Sequence, residues 1–328
     1  MKINNRLSIV VPVYNEGSNI KPFVDRLVTV IRDLGCDYEI IFALDPSTDN
    51  TEQIILDLRK NDPAIKLLKM SRRFGQPACT MAGINYAVGD ACIVIDADLQ
   101  DPPELIKDMV KKWKEGYHVV YAQRISRKGE TLIKKIVSYL GYRLINRIAD
   151  VKIPSNAGDF RLMSKQVVKH LKQLKEHDGF LRGLVAYVGF SQIGIPYHRD
   201  KRFAGRGNYN RLLGSLRIGL NGVFGFSKYP LHLISILGVV VSTFSFLLGM
   251  TYLFLKLLNF DIKWGNPTLV ILISFLSGIQ LLSLGVVGQY FARIYDEIKA
   301  RPGFIVQEEY GFEKESPAGQ PKRELVNE

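Results

Sequence analysis

Cysteine is scarce in this 328-residue chain. Cys36, Cys79 and Cys92 are scattered and odd in number. No Cys-x-x-Cys or His-rich spacing accompanies them, which argues against a disulfide framework or a zinc site and makes a reducing compartment the expectation. Acidic residues are in deficit, 32 against 44 Lys and Arg, for a net charge of +12. A secretory signal is not expected: the apolar run Leu7–Val13 spans seven residues and is followed at once by Asn15 and Glu16. Charge itself is missing from two long stretches, Leu233–Leu255 (23 residues) and Leu269–Ala292 (24 residues). These stretches explain how so basic a chain keeps a mean hydropathy of +0.03 with 47% apolar residues. Global disorder is excluded by that apolar fraction, and the length fits about two domains of about 150 residues.

Either uncharged stretch, as a helix rising about 1.5 Å per residue, crosses a hydrocarbon core of about 30 Å. Neither has a polar face, so burial in a soluble core is the poorer reading. A short connection, Lys256–Pro267, makes them a hairpin with both flanks on one side. Basic residues crowd the flanks, including Arg293, Lys299 and Arg301, whereas the connection holds only Lys256 and Lys263 as basic residues. The positive-inside rule then puts the N-terminal domain in the cytoplasm. The charge excess is itself localised. Residues 124–147 carry seven basic residues and one acidic, residues 199–230 carry the same, and the rest of the chain sums to zero. That distribution favours anionic headgroups or a lipid phosphate over nucleic acid, for which no aromatic-basic module is present.

Residues 1 to about 125 alternate β-rich runs with helical stretches. Strands are expected at Leu7–Val13, Tyr38–Leu44, Ile65–Met70, Ala91–Asp96 and His118–Gln123, with helices at 18–34, 50–61, 76–88 and 103–115 between them. Continuous runs such as Ser8-Ile9-Val10-Val11 suit strands covered on both faces, so the pattern predicts a parallel α/β sheet. Such sheets bind ligands at the carboxyl ends of their strands. Beyond lie a basic amphipathic helix at 126–150, a loop from 155, helices near 165–175 and 179–188, a strand near 190–197 and an interfacial helix or pair over 208–228. The polar tail after Tyr310 reads as disordered.

The sharpest motif is Val94-Ile95-Asp96-Ala97-Asp98-Leu99-Gln100-Asp101-Pro102-Pro103. Two carboxylates one residue apart share a side if the strand persists through them. Burying both unpaired is unfavourable. They suit a hard divalent cation shared with a substrate diphosphate, and Gln100 adds a neutral oxygen. Arg72 and Arg73 follow the third strand, where arginine can make bidentate contacts to phosphate.

Val11-Pro12-Val13-Tyr14-Asn15-Glu16, the Asp96/Asp98 pair and the following Leu-Gln-Asp-Pro-Pro resemble family 2 glycosyltransferases with the GT-A fold. More closely, the chain is similar to polyprenyl-phosphate glycosyltransferases of the bactoprenol glucosyltransferase and dolichol-phosphate mannose synthase kind. The resemblance covers about residues 6–305. It includes Ser71-Arg72-Arg73-Phe74-Gly75, Gly158-Asp159-Phe160-Arg161-Leu162-Met163-Ser164, Phe180-Leu181-Arg182-Gly183 and the hairpin. It implies a Rossmann-like GT-A domain at 1–200, basic interfacial helices at 201–231, a two-helix transmembrane unit at 232–293 (about 233–255 and 269–292) and a partly disordered cytoplasmic tail at 294–328. It further implies Asp98 and Gln100 as ligands of Mg²⁺ or Mn²⁺, with Asp96 on the nucleotide or the metal shell and counted with Asp159 in the catalytic set. Pro12, Tyr14 and Glu16 would border the nucleoside, Asp45 would reach the base or ribose, and Arg72 the diphosphate. Asp159 would lie near the acceptor, positioning it or acting as a base. Arg124, Arg127, Arg182, Arg199, Arg202 and Arg206 would meet the acceptor phosphate. Two departures stand out. Leu44-Asp45-Pro46-Ser47 replaces the usual Asp-Asp-Gly-Ser, and Gly207-Asn208 replaces a Ser/Thr-Lys pair.

The implied enzyme is an inverting hexosyltransferase of the inner (cytoplasmic) membrane, multi-pass, with its catalytic domain in the cytoplasm. Its partners would be a nucleotide sugar (UDP-glucose first), undecaprenyl phosphate and membrane lipids, and its product a lipid-linked sugar for cell-envelope glycan modification. Another sugar or a GDP donor is the first alternative. A polysaccharide synthase is the second, although no Gln-x-x-Arg-Trp motif or larger channel is present. A non-catalytic scaffold is the third, opposed by the intact acidic pair. Gln280, Gln289 and the small residues Ser274, Gly278, Gly285 and Gly288 predict homo-oligomerisation through the membrane part, a tetramer among the options.

Overall fold

A computed structural model describes residues 5–125, 154, 157–174, 181–199, 227–258 and 266–312. The order is β1 (Arg6–Val13), α1 (Gly17–Leu34), β2 (Asp37–Leu44), α2 (Thr51–Asn61), β3 (Ile65–Met70), α3 (Gln76–Tyr86), β4 (Ala91–Val94), α4 (Leu105–Lys114) and β5 (Val119–Arg124). After the basic 126–150 segment, which lies outside the described residues, come β6 (Ala157–Ser164), α5 (Lys165–Leu171), α6 (Leu181–Val188) and β7 (Gln192–Tyr197). Two long helices follow, α7 (Tyr229–Leu257) and α8 (Asn266–Lys299), and then β8 (Val306–Tyr310).

The strands form one eight-stranded sheet in the order β7-β5-β6-β4-β1-β2-β3-β8. β1 shows why. Leu7, Ile9 and Val11 face one way, into a core with Phe23 and Leu27 of α1, Ile55 of α2 and Met109 of α4. Val10 faces the other way, toward Cys79 and Ala82 of α3, Val167 of α5 and Leu184 of α6. A strand covered on both faces needs an unbroken apolar run, which is what the sequence supplies. α3 sits unusually close to β1, since a Cβ on Gly83 would lie 2.3 Å from Val10 Cγ1.

The sheet is mixed: the five strands expected over residues 1–125 run parallel to one another, but β6, in a stretch expected to be a loop, is a strand. β1 pairs with β2 and β4 in parallel, β2 with β3, and β5 with β7. β6, however, runs antiparallel between β4 and β5. Parallel neighbours require a covering crossover, but β6 returns after a long excursion and is free of that constraint. The fourth strand also ends earlier than expected, at Val94 instead of Asp96.

A second correction concerns the C-terminal tail. β8 pairs antiparallel with β3 at the sheet edge, so part of the 294–328 segment belongs to the catalytic sheet. Its alternating exposure, with Val306, Glu308 and Tyr310 turned partly inward, is that of a half-covered edge strand and reads as polar in sequence. Lys69 pairs with Glu308 at 3.2 Å, Tyr86 Oη donates to Glu309 Oε1 at 2.5 Å, and Phe312 packs edge-on against Tyr86. Residues 313–328 lie outside the described residues.

α7 and α8 are long and apolar enough to cross a membrane. At 29 and 34 residues they measure about 43 and 51 Å. Their apolar side chains point outward rather than into a core; Phe246, Ile271 and Leu281 are 68, 70 and 70% exposed. Tyr290 of α8 donates its hydroxyl to the Ser227 carbonyl just before α7, at 2.6 Å.

Candidate active site

The carboxyl ends of the strands gather the residues that carry chemistry. β1 ends in Pro12-Val13 and turns through Asn15, whose φ of 53° lies in the left-handed region. Ser47 Oγ accepts the Asn15 N–H at 3.0 Å, and Asn15 Oδ1 accepts the Thr48 N–H at 2.8 Å. Thr51 Oγ1 accepts from Glu16 N, and Asp49 from Gly17 N. The loops after β1 and β2 are thus sewn together, with Tyr14 and Glu16 on their rim.

Asp45 at the end of β2 is 2% exposed. Its carboxylate accepts the Phe74 N–H at 3.0 Å and the Gly75 N–H at 2.8 Å, bracing the loop that carries Arg72 and Arg73. Arg73 lies over the Tyr14 ring at 4.0 Å and Arg72 over Phe74 at 4.0 Å. The β8 side holds the same loop, because Ser71 N donates to the Ile305 carbonyl at 3.0 Å. The Asp45 brace was not visible in sequence, where Asp45 was expected to reach the base or ribose.

Past β4 the chain continues through Asp96 and turns at Leu99, which has φ 58°. Because the strand has already ended, it is this turn, and not strand alternation, that sets where Asp98 lies. Asp98 is buried, and its Oδ1 accepts the Gln100 N–H at 3.1 Å. Asp96 is half-buried and accepts from Gln76 Nε2 at 2.8 Å. Burial first, then the negative fields of Asp101, Asp98 and Asp159, push the Asp96 carboxyl up to about 8, against a small opposing pull from Arg199. Such a cluster is short of positive charge at its centre.

Facing it, Asp159 of β6 receives two bonds from Arg182 of α6, at 2.9 Å from Nε and 3.3 Å from Nη2. Burial works against the Asp159 carboxylate, but Arg182, Arg161 and Arg124 outweigh it and hold it below the usual range. Arg161 is 3% exposed, donates to the Gly158 carbonyl at 2.8 Å, and is lowered to about 10, chiefly by burial. Arg124 at the end of β5 donates through Nε to Tyr197 Oη at 3.1 Å, and Tyr197 in turn donates to Asp101. Arg199 Nε stands 3.5 Å from Asp101.

The structure therefore brings Asp96, Asp98, Asp159, Arg124, Arg182 and Arg199 to one region. Pro12, Tyr14, Glu16, Asp45 and Arg72 lie at the ends of β1, β2 and β3 on the same side of the sheet. Arg127, Arg202 and Arg206 lie outside the described residues. Gln76, Asp101 and Tyr197 are additions that sequence reading did not assign to the site.

The donor set fits a hard divalent cation: carboxylates in a negative field, with an amide oxygen on Gln100. Among the described residues no group of three or more His, Cys, Asp or Glu side chains is placed to hold a metal alone. Asp98 and Gln100 would hold such an ion, with Asp96 on the nucleotide or the metal shell.

A family model described as glycosyl transferase family 2 matches residues 8–172. The Bacillus subtilis (strain 168) glycosyltransferase YkcC is 46% identical over 306 residues, covering 93% of this chain and 94% of that one. The bactoprenol glucosyl transferase of Shigella phage SfII is 38% identical over 306 residues, covering 93% of this chain and 98% of that one. Among solved structures, mannosyl-3-phosphoglycerate synthase from Rubrobacter xylanophilus superposes with a TM-score of 0.48 at 13% identity, covering 67% of this chain and 72% of that chain.

Proposed function

Because the chain belongs to glycosyl transferase family 2 and has its GT-A fold, we propose that it transfers glucose from UDP-glucose to undecaprenyl phosphate at the cytoplasmic membrane face. The observation that carries this reading is the juxtaposition of an acidic cluster at the end of β4 with the arginines at the ends of β5, α6 and β7. One side suits a cation and a leaving diphosphate, the other an anionic acceptor. The similarity to proteins named bactoprenol glucosyl transferase supports the sugar and the lipid. The two apolar helices support a lipid acceptor, since a soluble acceptor would need no anchor.

Asp98 and Gln100 would hold a divalent ion, Mg²⁺ or Mn²⁺, with Asp96 on the nucleotide or the metal shell; when bound, the ion would neutralise charge on the departing diphosphate. Arg72 meets the diphosphate from the loop after β3, and Tyr14, Glu16 and Pro12 border the nucleoside. Asp45 acts from beneath this loop. The acceptor phosphate lies against Arg124, Arg182 and Arg199, with Arg127, Arg202 and Arg206 as further contributors. Its oxygen attacks the anomeric carbon opposite the leaving group. The new carbon–oxygen bond forms as the bond to the diphosphate breaks, UDP departs, and the linkage inverts. A phosphate monoester with a second pKa of about 6 is already largely dianionic at pH 7, so the nucleophile needs orientation more than deprotonation. Asp159, held ionised by Arg182, fits that orienting role.

β8 supports a hairpin. α8 ends at Lys299, and seven residues later the chain is on the catalytic sheet, so the C-terminal end of α8 lies on the catalytic side. The charge bias of the flanks favours the cytoplasm for that side.

The test is direct. Purified protein is incubated with Mn²⁺ or Mg²⁺, undecaprenyl phosphate and a panel of UDP- and GDP-sugars, and the lipid product is weighed by mass spectrometry. A lipid-linked hexose from UDP-glucose is expected. A product from another donor would move the sugar assignment, and no lipid-linked sugar from any donor would overturn the reading.

A further inference from the structure

Asp101 is 1% exposed, and three cationic or polar groups from two other strand ends converge on its carboxylate. Tyr197 Oη donates to Oδ1, Arg199 Nε lies 3.5 Å from the same oxygen, and Arg124 Nη2 lies 3.9 Å from Oδ2. The register explains the convergence. Arg124 and Tyr197 are directly paired across β5 and β7, and Arg199 follows two residues later. Gly158 leaves the room, because a Cβ there would stand 2.8 Å from Arg124 Nη2.

We infer that Asp101 is a positioning residue that holds Arg124 and Arg199 as a pair for the acceptor phosphate. The inference rests on the transfer reading above and deepens its acceptor side. Arg124 and Arg199 share the one carboxylate of Asp101, whereas Arg182 beside them is paired with Asp159. The two arginine contacts to Asp101 are long for hydrogen bonds. Arg199 Nε is buried and has no hydrogen-bond partner among the described residues. The carboxylate therefore gathers the two groups by its field and leaves N–H donors for another anion. A free pair of arginines would repel each other and drift toward solvent; a buried counter-charge prevents this. Tyr197 fixes the geometry by accepting from Arg124 while donating to Asp101.

The experiment compares Asp101→Asn, Asp101→Ala and Tyr197→Phe with the unsubstituted enzyme in detergent. Initial rates are measured against undecaprenyl phosphate and UDP-glucose separately, and farnesyl phosphate binding is measured by calorimetry. Asn keeps the bond from Tyr197 but not the charge. Both Asp101 variants are expected to raise KM for undecaprenyl phosphate about tenfold, with KM for UDP-glucose within twofold, and to weaken farnesyl phosphate binding by a similar factor. Tyr197→Phe removes one hydroxyl with little risk to the fold and should shift the same parameter about threefold. An Asn variant with the acceptor KM of the original enzyme would reduce Asp101 to a packing role and overturn the inference. A rise confined to KM for UDP-glucose would also overturn it, by moving Asp101 to the donor side. If no donor gives product but farnesyl phosphate binds and Asp101→Asn weakens it, the transfer reading falls and the positioning role stands.

Discussion

Asp96 gives the site a measurable electrostatic signature. Burial and three neighbouring carboxylates raise its carboxyl from 3.8 to about 8. At 1.36 kcal/mol per tenfold, that is of order 5 kcal/mol of unfavourable interaction with the ionised form. The sign follows. In the unfolded chain Asp96 ionises near 4, whereas in the fold it keeps its proton to about 8, so metal-free protein loses stability as pH rises through that window. A divalent cation among the same carboxylates removes the penalty by displacing the proton. At pH 7, below the raised value, Asp96 keeps its proton in most molecules, so metal binding should release a proton from this residue; at pH 9, above that value, the release should largely disappear. Isothermal calorimetry of Mn²⁺ binding to the UDP-saturated protein, in buffers of different ionisation enthalpy, counts the protons. Asp96→Asn supplies the baseline for protons from UDP. A difference between the two proteins near zero at pH 7, or one that does not change between pH 7 and 9, would refute the reasoning.

Asp98→Asn should lower transfer at least 100-fold and abolish stimulation by Mn²⁺, measured as initial rates against metal concentration. Asp159→Asn and Arg182→Gln, combined in a double-mutant cycle on chemical denaturation, should couple by about 1 kcal/mol, a value reduced because the Asp159 side chain is 34% exposed. Since Asp159 is held below its ordinary value, that coupling should persist above the ordinary carboxylate range and disappear as pH falls below it. Gly83→Ala places a methyl 2.3 Å from Val10 Cγ1 and should destabilise the domain by about 1–3 kcal/mol, read as an earlier denaturation midpoint.

The strand-helix alternation was legible because each signal was local. Ser8-Ile9-Val10-Val11 states burial on both faces, and the expected strands at 7–13, 38–44 and 65–70 differ from the observed ones by at most a residue. Asp96 and Asp98 were legible as a pair because two carboxylates at an apolar strand end have few structural uses. What sequence could not supply was pairing across distance. The direction of β6 depends on the path through 126–156, and the place of β8 depends on a strand 240 residues earlier. Asp101 is the sharper case. In sequence it is one acidic residue before Pro102-Pro103, with the spacing of a helix cap. In space it receives Tyr197 and faces Arg124 and Arg199. The hint available was the alternation at the end of β7, where Tyr197 and Arg199 lie two apart; the partner they share could not be read from either segment.

β8 changes how the membrane part relates to the site. An anchor joined only through residues 199–229 would leave the β3 edge of the sheet open, with unpaired N–H and C=O groups. Instead the chain emerging from α8 closes that edge, and its first contact, Ser71 N to the Ile305 carbonyl, falls on the loop that carries Arg72 and Arg73. Asp45 holds the other end of the same loop through Phe74 N and Gly75 N. The loop proposed to meet the diphosphate is thus fixed on one side by the sheet interior and on the other by the segment leaving the second apolar helix. The arginines proposed to meet the acceptor, at the ends of β5 and β7, lie across the sheet from it. The segment that leaves the second apolar helix is in this respect part of the frame of the site.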